Sequence, residues 1–187
     1  MPKPPKPVTR PRLRRQIDHY LDRYATTEAH LRRLFRRRIQ RAAAHHGSDP
    51  AEGEAWLEEE IRRVVRLGIV NDAQFATDRA RTLVRRGNGP RQVRSKLVAK
   101  GVATELVEAA LAAVAEELGD PTRIAAFRFA RRRKLGPFTA GGPPEDRDVQ
   151  QRQLGKLARA GFGYDVARAI IESPTIEGLE EWAGGDA

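Results

Sequence analysis

Apolar residues along this chain recur at intervals of three and four and almost never alternate with polar ones. That is the signature of helices that bury one stripe and wet the rest. Leu13, Ile17, Tyr20, Leu21 and Tyr24 make the first stripe. Leu31, Leu34, Phe35, Ile39 and Ala42 make a second, entered through Thr26 or Thr27 as N-cap with Glu28 in the favourable first turn. Leu57, Ile61, Val64 and Val65 form a third, ending at Gly68. A helix from near Asp72 carries Phe75, Ala76, Ala80, Leu83 and Val84 and stops at Gly87-Asn88-Gly89. Pro90 then opens a short helix with Val93, Leu97 and Val98, since proline lacks only a donor that the first turn leaves unused. Thr104 is expected to cap the next, which holds Leu106, Val107, Ala110, Leu111, Val114 and Leu118. Beyond Gly119-Asp120-Pro121 come Ile124, Phe127 and Leu135, then a loop over residues 136–144. Two more stripes close the series, Leu154, Leu157 and Ala158, then Val166, Ile170 and Ile171. The expectation is nine helices and an all-α fold.

Part of this pattern repeats. Superimposing Leu97 on Leu157 brings Gly101 onto Gly161, Val102 onto Phe162, Leu106 onto Val166 and Leu111 onto Ile171. Each time a helix ends at glycine followed by an apolar residue, as in a C-terminal cap where glycine turns left-handed and the next residue folds back on C3. Gly68-Ile69, with Val64 at C3, repeats the device. Three such stations predict tandem three-helix units, each too small to bury much surface alone. The expected architecture is an elongated, curved array of three three-helix repeats at 12–71, 72–119 and 120–174. A flexible Pro/Lys-rich tail is expected over 1–11 and a frayed acidic, glycine-rich end over 175–187.

Charge adds a direction. Lys and Arg number 35 against 25 Asp and Glu, a formal net charge of +10. Residues 1–41 hold 13 basic and 3 acidic residues, the whole excess, while the remainder has 22 of each sign in separate blocks. From Arg79 to Lys100 there are eight basic residues and no acid, and from Arg123 to Lys134 six, again with none. Segregated charge steers a polyanionic partner and leaves the fold undetermined. There is no cysteine, so disulfides, thiol catalysis and cysteine-ligated metals are excluded. No apolar run reaches the roughly 18–20 residues of a membrane span. The proline-rich N-terminus lacks the apolar core of a secretory signal. A cytoplasmic monomer is expected.

Catalytic equipment is sparse. His45 and His46 are adjacent, so on a helix they diverge by about 100° and cannot share one metal. Glu58-Glu59-Glu60 and Glu116-Glu117 read as solvated helix faces. Gly87-Asn88-Gly89-Pro90 precedes a helix but lacks a preceding strand and the Lys-Ser/Thr ending of a P-loop. The expectation is a non-enzyme without cofactor or metal. Binding is better provided for. Arg32 and Arg36, and Arg81 and Arg85, sit four apart on helix faces, while Arg91, Arg94 and Lys96 point away from Val93 and Leu97. Arg131, Arg132 and Arg133 are consecutive, so at least one must approach the core side and snorkel outward. These ten residues are the candidate partner- or DNA-binding set, because guanidinium forks bind phosphates and carboxylates bidentately.

Four segments carry a resemblance. Tyr20-Leu21-Asp22-Arg23 followed by residues 27–34, then Leu67-Gly68-Ile69-Val70-Asn71-Asp72-Ala73-Gln74-Phe75-Ala76, are similar to the opening pattern and most specific signature of the bacterial RecX family. Gly87 to Val93 with Leu97 and Lys100-Gly101-Val102, and lastly Gly161-Phe162-Gly163-Tyr164-Asp165-Val166, resemble its later stretches. The likeness runs from about residue 13 to 173. Asn71 stands where the family usually has Asp, and Asn caps a helix almost as well. The resemblance implies three tandem three-helix repeats lying in the groove of the RecA filament on single-stranded DNA. It also implies suppression of filament extension, ATP hydrolysis, strand exchange and co-protease activity in recombination and repair. Asn71, Asp72, Phe75 and Gly101 are read as structural within those motifs. Weak direct DNA binding is expected beside that role. The rival reading makes non-specific DNA binding the function itself, with steep salt dependence.

Overall fold

Helix-stop glycines and helix-start oxygens divide the chain into ten α-helices among the described residues, 4–185, of a computed structural model. They are α1 (Arg10–Leu21), α2 (Glu28–His46), α3 (Ala51–Arg66), α4 (Asp72–Arg85), α5 (Pro90–Val98), α6 (Thr104–Leu118), α7 (Pro121–Arg133), α8 (Arg147–Arg159), α9 (Tyr164–Glu172) and α10 (Ile176–Ala183). A 3-10 turn at Gly136–Phe138 stands in the expected loop. The chain forms two compact units, one of residues 1–75 with 100–102, the other of 76–99 with 103–187.

In the first unit, α1, α2 and α3 enclose Leu13, Ile17, Leu31, Phe35, Ile39, Leu57, Ile61 and Val64. Val8 packs against this cluster, and the Pro5 carbonyl accepts from His46 Nε2 at 2.9 Å. Residues 1–3 lie outside the described ones. Glu60 is only 4 % exposed, which is tolerable for a carboxylate because Arg63 Nε donates to it at 2.5 Å and also reaches Asp18.

The second unit places α7 at its centre. Ala125, Ala126, Phe127, Phe129 and Ala130 are all buried, so this helix is covered on more than one side. Helices α8, α9 and α10 pack on it, and the Phe138 ring meets Phe127 edge-on at 5.5 Å. The buried Gln153 bridges the returning loop: its Oε1 accepts from Gly136 N at 2.7 Å and its Nε2 donates to Thr139 Oγ1.

Several expectations are corrected. The end of the chain is helical rather than frayed, because Thr175 Oγ1 accepts from Gly178 N and α10 buries Leu179 and Ala183. Residues 186–187 lie outside the described ones. That helix, α10, makes the count ten instead of nine. Thr104 is the first residue of α6 and caps nothing with its side chain. At Gly68 the residue that folds inward is Val70, while Ile69 stays 54 % exposed. The amides of both bond the Val64 carbonyl, so the glycine cap forms but turns its apolar partner one residue later. At Gly101 and Gly161 the inward residue is the next one, Val102 and Phe162, as the pattern requires.

Candidate partner-binding surface

The signature around Gly68 is built for support. Asn71 Oδ1 accepts from Gln74 N at 3.0 Å, capping its own helix α4. Asp72 instead reaches the start of α2, where its Oδ1 accepts from Glu28 N at 2.9 Å. Thr27 completes that helix start, accepting from His30 N and donating to the Lys100 carbonyl at 2.5 Å. Two caps from separate segments thus satisfy neighbouring orphan amides of α2. Desolvation raises the Asp72 pKa against the lowering effect of the hydrogen bond from the Glu28 amide. Gly101 sits against the Ala29 methyl, with no room for a side chain.

The ten candidate cations divide into two sets. In the first unit Arg32 is held by Glu58 and Glu28, and Arg36 lies near Glu54 and Glu58. In the second, Arg81 bridges Asp78 and Glu117, Arg85 approaches Glu117 at 3.8 Å, and Arg94 forms a fork with Glu108. The side-chain hydrogen bonds raise the pKa values of Arg32, Arg81 and Arg94, and hold Glu58, Glu108 and Glu117 below the usual carboxylate range. Lys96 caps the side-chain oxygen of Asn88. These side chains therefore have internal partners, mostly across the α2–α3, α4–α6 and α5–α6 pairs.

The other set is different. Arg91, Arg131, Arg132 and Arg133 are exposed, and among the described residues none forms an ion pair with a carboxylate. Arg132 is the one that leans inward: its guanidinium lies 5.7 Å from the Phe129 ring centre and donates to the Arg86 carbonyl. Arg133 faces a cleft of about 460 Å³ lined also by Gln92, Phe129, Lys156, Arg159 and Ala160. Arg91 borders Gly161 beside it. Arg131 is exposed on α7 and does not line the cleft.

Glycine contacts assemble this cleft. Gly89 N donates to the Ala160 carbonyl at 3.0 Å, and Gln92 Nε2 donates to the Arg159 carbonyl at 2.8 Å. A Cβ at Gly89 would stand 2.6 Å from the Gly161 carbonyl carbon, and one at Gly161 would stand 2.8 Å from Gln92 N. Backbone touches backbone there, and the start of α5 is thereby pinned to the end of α8. Lys156 and Arg159 were not among the sequence candidates. The available signal was their spacing of three on one helix, immediately before the Gly161 cap. Among the described residues no cluster of three or more His, Asp or Glu is placed to hold a metal, and no helix is long and apolar enough to cross a membrane.

The family model described as "RecX, second three-helix domain" matches residues 71–111, which span α4, α5 and the first half of α6. A protein of Myxococcus xanthus, "Regulatory protein RecX", is 37 % identical over 173 residues, covering 92 % of this chain and 90 % of that one. The chain belongs to the RecX family of regulatory proteins. A family member from Agrobacterium fabrum is 30 % identical, covering 81 % of this chain and 77 % of its own length. In fold, the chain is similar to the crystal structure of RecX from Lactobacillus salivarius, with a TM-score of 0.59 at 19 % identity over 87 % of this chain and 94 % of that one. The all-helical fold, with three-helix domains, is that of the family.

Proposed function

We propose that this chain binds the RecA filament on single-stranded DNA and inhibits its extension, ATP hydrolysis, strand exchange and co-protease activity. The observation carrying this reading is the family likeness over nearly the whole length, at 37 % identity to a named RecX regulatory protein. The chain acts by binding, as a cytoplasmic monomer, with its repeats at 12–71, 72–119 and 120–174 each contributing helices to the contact. Of the candidate arginines, Arg91 and Arg131 to Arg133 are the ones left without internal carboxylates, so they are the primary contact residues. Arg32, Arg36, Arg81, Arg85 and Arg94, which meet carboxylates across helix pairs, and Lys96, which meets Asn88, contribute through the donors those partners leave free.

The test is recombinase ATPase on single-stranded DNA, with and without this protein, at two salt concentrations. Loss of ATPase at sub-stoichiometric protein is the expected result. Unchanged hydrolysis across a range reaching one protein per recombinase removes the reading. The second reading, direct DNA binding as the function, is favoured by the unneutralised cleft. It requires tight, salt-sensitive binding to naked DNA with no effect specific to the filament.

A further inference from the structure

Resting on the reading of this chain as a filament regulator, we infer that the cleft lined by Gln92, Phe129, Arg133, Lys156, Arg159 and Ala160 binds the phosphate backbone of single-stranded DNA directly. Three cations from α7 and α8 converge on one concavity whose described lining residues include no acid. Several arginines elsewhere have carboxylate partners, Arg32, Arg63, Arg81 and Arg94 among them at hydrogen-bonding distance, whereas among the described residues Arg133, Lys156 and Arg159 form no ion pair. The cleft is thus a place where positive charge is gathered and left uncompensated. Placement near helix C-termini favours each cation singly, but it does not require the ends of two helices to meet. The Phe129 ring lies 5.8 Å from that of Phe162, just past the end of α8, and holds α7 to that end, while the Gly89–Ala160 hydrogen bond brings the start of α5 to the same place.

The chemistry selects the ligand. Guanidinium and ammonium groups offer donors only, matched to phosphate oxygens. A protein partner would need apolar or aromatic anchors at the centre of its contact. Here the apolar lining is withdrawn: Phe129 is 9 % exposed and Ala160 4 %. Charge without apolar anchors fits a polyanion, whose binding is driven by counterion release. A space of about 460 Å³ is of the size that takes a nucleotide-sized group, and the strand of the proposed filament is single.

The test follows the anisotropy of fluorescein-labelled oligothymidylate against the full chain over a salt series. The cleft variant carries Arg133→Gln, Lys156→Gln and Arg159→Gln. The control carries Arg14→Gln, Arg15→Gln and Arg37→Gln, which change net charge equally on exposed positions of α1 and α2. With three phosphate contacts removed at about 0.7 each, the cleft variant should lose about two from the slope of log K against log salt, and at least about tenfold in affinity. The control should keep most of both. Equal losses in the two variants overturn the assignment, as does absence of binding by the unaltered chain. Competition by polyglutamate as effective as by unlabelled oligonucleotide at equal charge overturns it in favour of an acidic protein, and tighter binding of duplex overturns the choice of strand. Filament ATPase is read in parallel. If the unaltered chain leaves hydrolysis unchanged while the cleft variant alone loses strand binding, the regulator reading falls and the cleft assignment stands. If hydrolysis is inhibited but both variants bind the strand alike, only the cleft assignment falls.

Discussion

Gly89 and Gly163 make a matched pair for testing what holds the cleft together. Each is the N-cap of a nine-residue helix, α5 or α9, and their dihedrals are nearly the same, φ −67° and ψ 162° against φ −72° and ψ 163°. Both lie in the extended region open to any residue, so conformation alone predicts the same result for alanine at either place. Packing does not. A Cβ at Gly163 meets nothing within 4 Å, while at Gly89 it would meet the Gly161 carbonyl carbon and oxygen at 2.6 and 2.7 Å and the Ala160 oxygen at 2.8 Å. Those atoms are backbone and cannot rotate away. Gly163→Ala trades a poorer N-cap for a less flexible unfolded chain and should change stability by less than about 1 kcal/mol. Gly89→Ala bears the same two effects, then adds about 1–3 kcal/mol of overpacking and about 1 kcal/mol for the strained Gly89–Ala160 hydrogen bond. The difference, about 2–4 kcal/mol, corresponds to roughly 4–16 °C in Tm for a chain of this size. Urea titration followed by far-ultraviolet circular dichroism, with thermal melts beside it, reads both variants. Equal midpoints for the two would show that the start of α5 is not pinned to the end of α8, and the account of the cleft would fail with it.

Three further outcomes follow from the caps and charges. Asp72→Ala should lose about 1 kcal/mol through the uncapped Glu28 amide, whereas Asp72→Asn keeps an acceptor there and removes a carboxylate whose pKa burial has raised, so it should match or exceed the native midpoint near pH 7. Lys134 ends α7 in the left-handed region at φ 53°, so Lys134→Gly should gain about 0.5–1 kcal/mol, or about 2 °C in Tm, and a lower Tm would refute that strain. His30 has its pKa lowered by burial, with Lys100 and Arg33 adding to it. The unfolded chain therefore takes up the proton first, and stability should decline as pH falls through about 6.5, a slope that His30→Gln flattens in urea melts between about pH 7 and pH 5. The carboxylates Glu58, Glu108 and Glu117 are held low as well, by hydrogen bonds from Arg32, Arg94 and Arg81, so their contribution is present above their ordinary range and is lost as pH falls through their lower folded values.

Periodicity made the helices legible because each buried stripe is a local property of one segment: Leu31, Phe35 and Ile39 are all buried in α2 as their spacing implies. The final helix escaped for an equally physical reason. Three glycines and four acids in residues 175–187 argue for disorder locally, while the burial of Leu179 and Ala183 that stabilises α10 depends on packing against α7. Asn71 as a cap was readable because it acts on its own helix. Asp72 acts on α2, 44 residues earlier in the chain, and no spacing rule reaches that far. The arginines show the same limit. Their outward direction was readable on each helix, but whether Glu117 or Glu108 waits opposite is decided by how helices pair, so Arg81 and Arg91 look alike in sequence and differ in the folded chain.

That difference bears on how a strongly basic protein avoids indiscriminate binding. An exposed ion pair contributes only about 0–1 kcal/mol to stability, so pairs such as Arg81–Glu117 and Arg94–Glu108 are weak as fasteners. They still mask charge: a guanidinium whose fork is filled by a carboxylate must give up that partner before taking a phosphate. The paired arginines therefore lower the background affinity for any polyanion while the unpaired ones around Arg133 keep theirs. On the proposed reading, specificity comes from which cations are masked, and the masking carboxylates Glu108 and Glu117 are then part of the proposed surface. Replacing Glu108 and Glu117 by glutamine should leave the fold intact and raise non-specific DNA affinity, with a steeper salt slope than the native chain. A slope unchanged by those replacements would mean that the masked arginines face no ligand at all, and that selectivity lies wholly in the cleft.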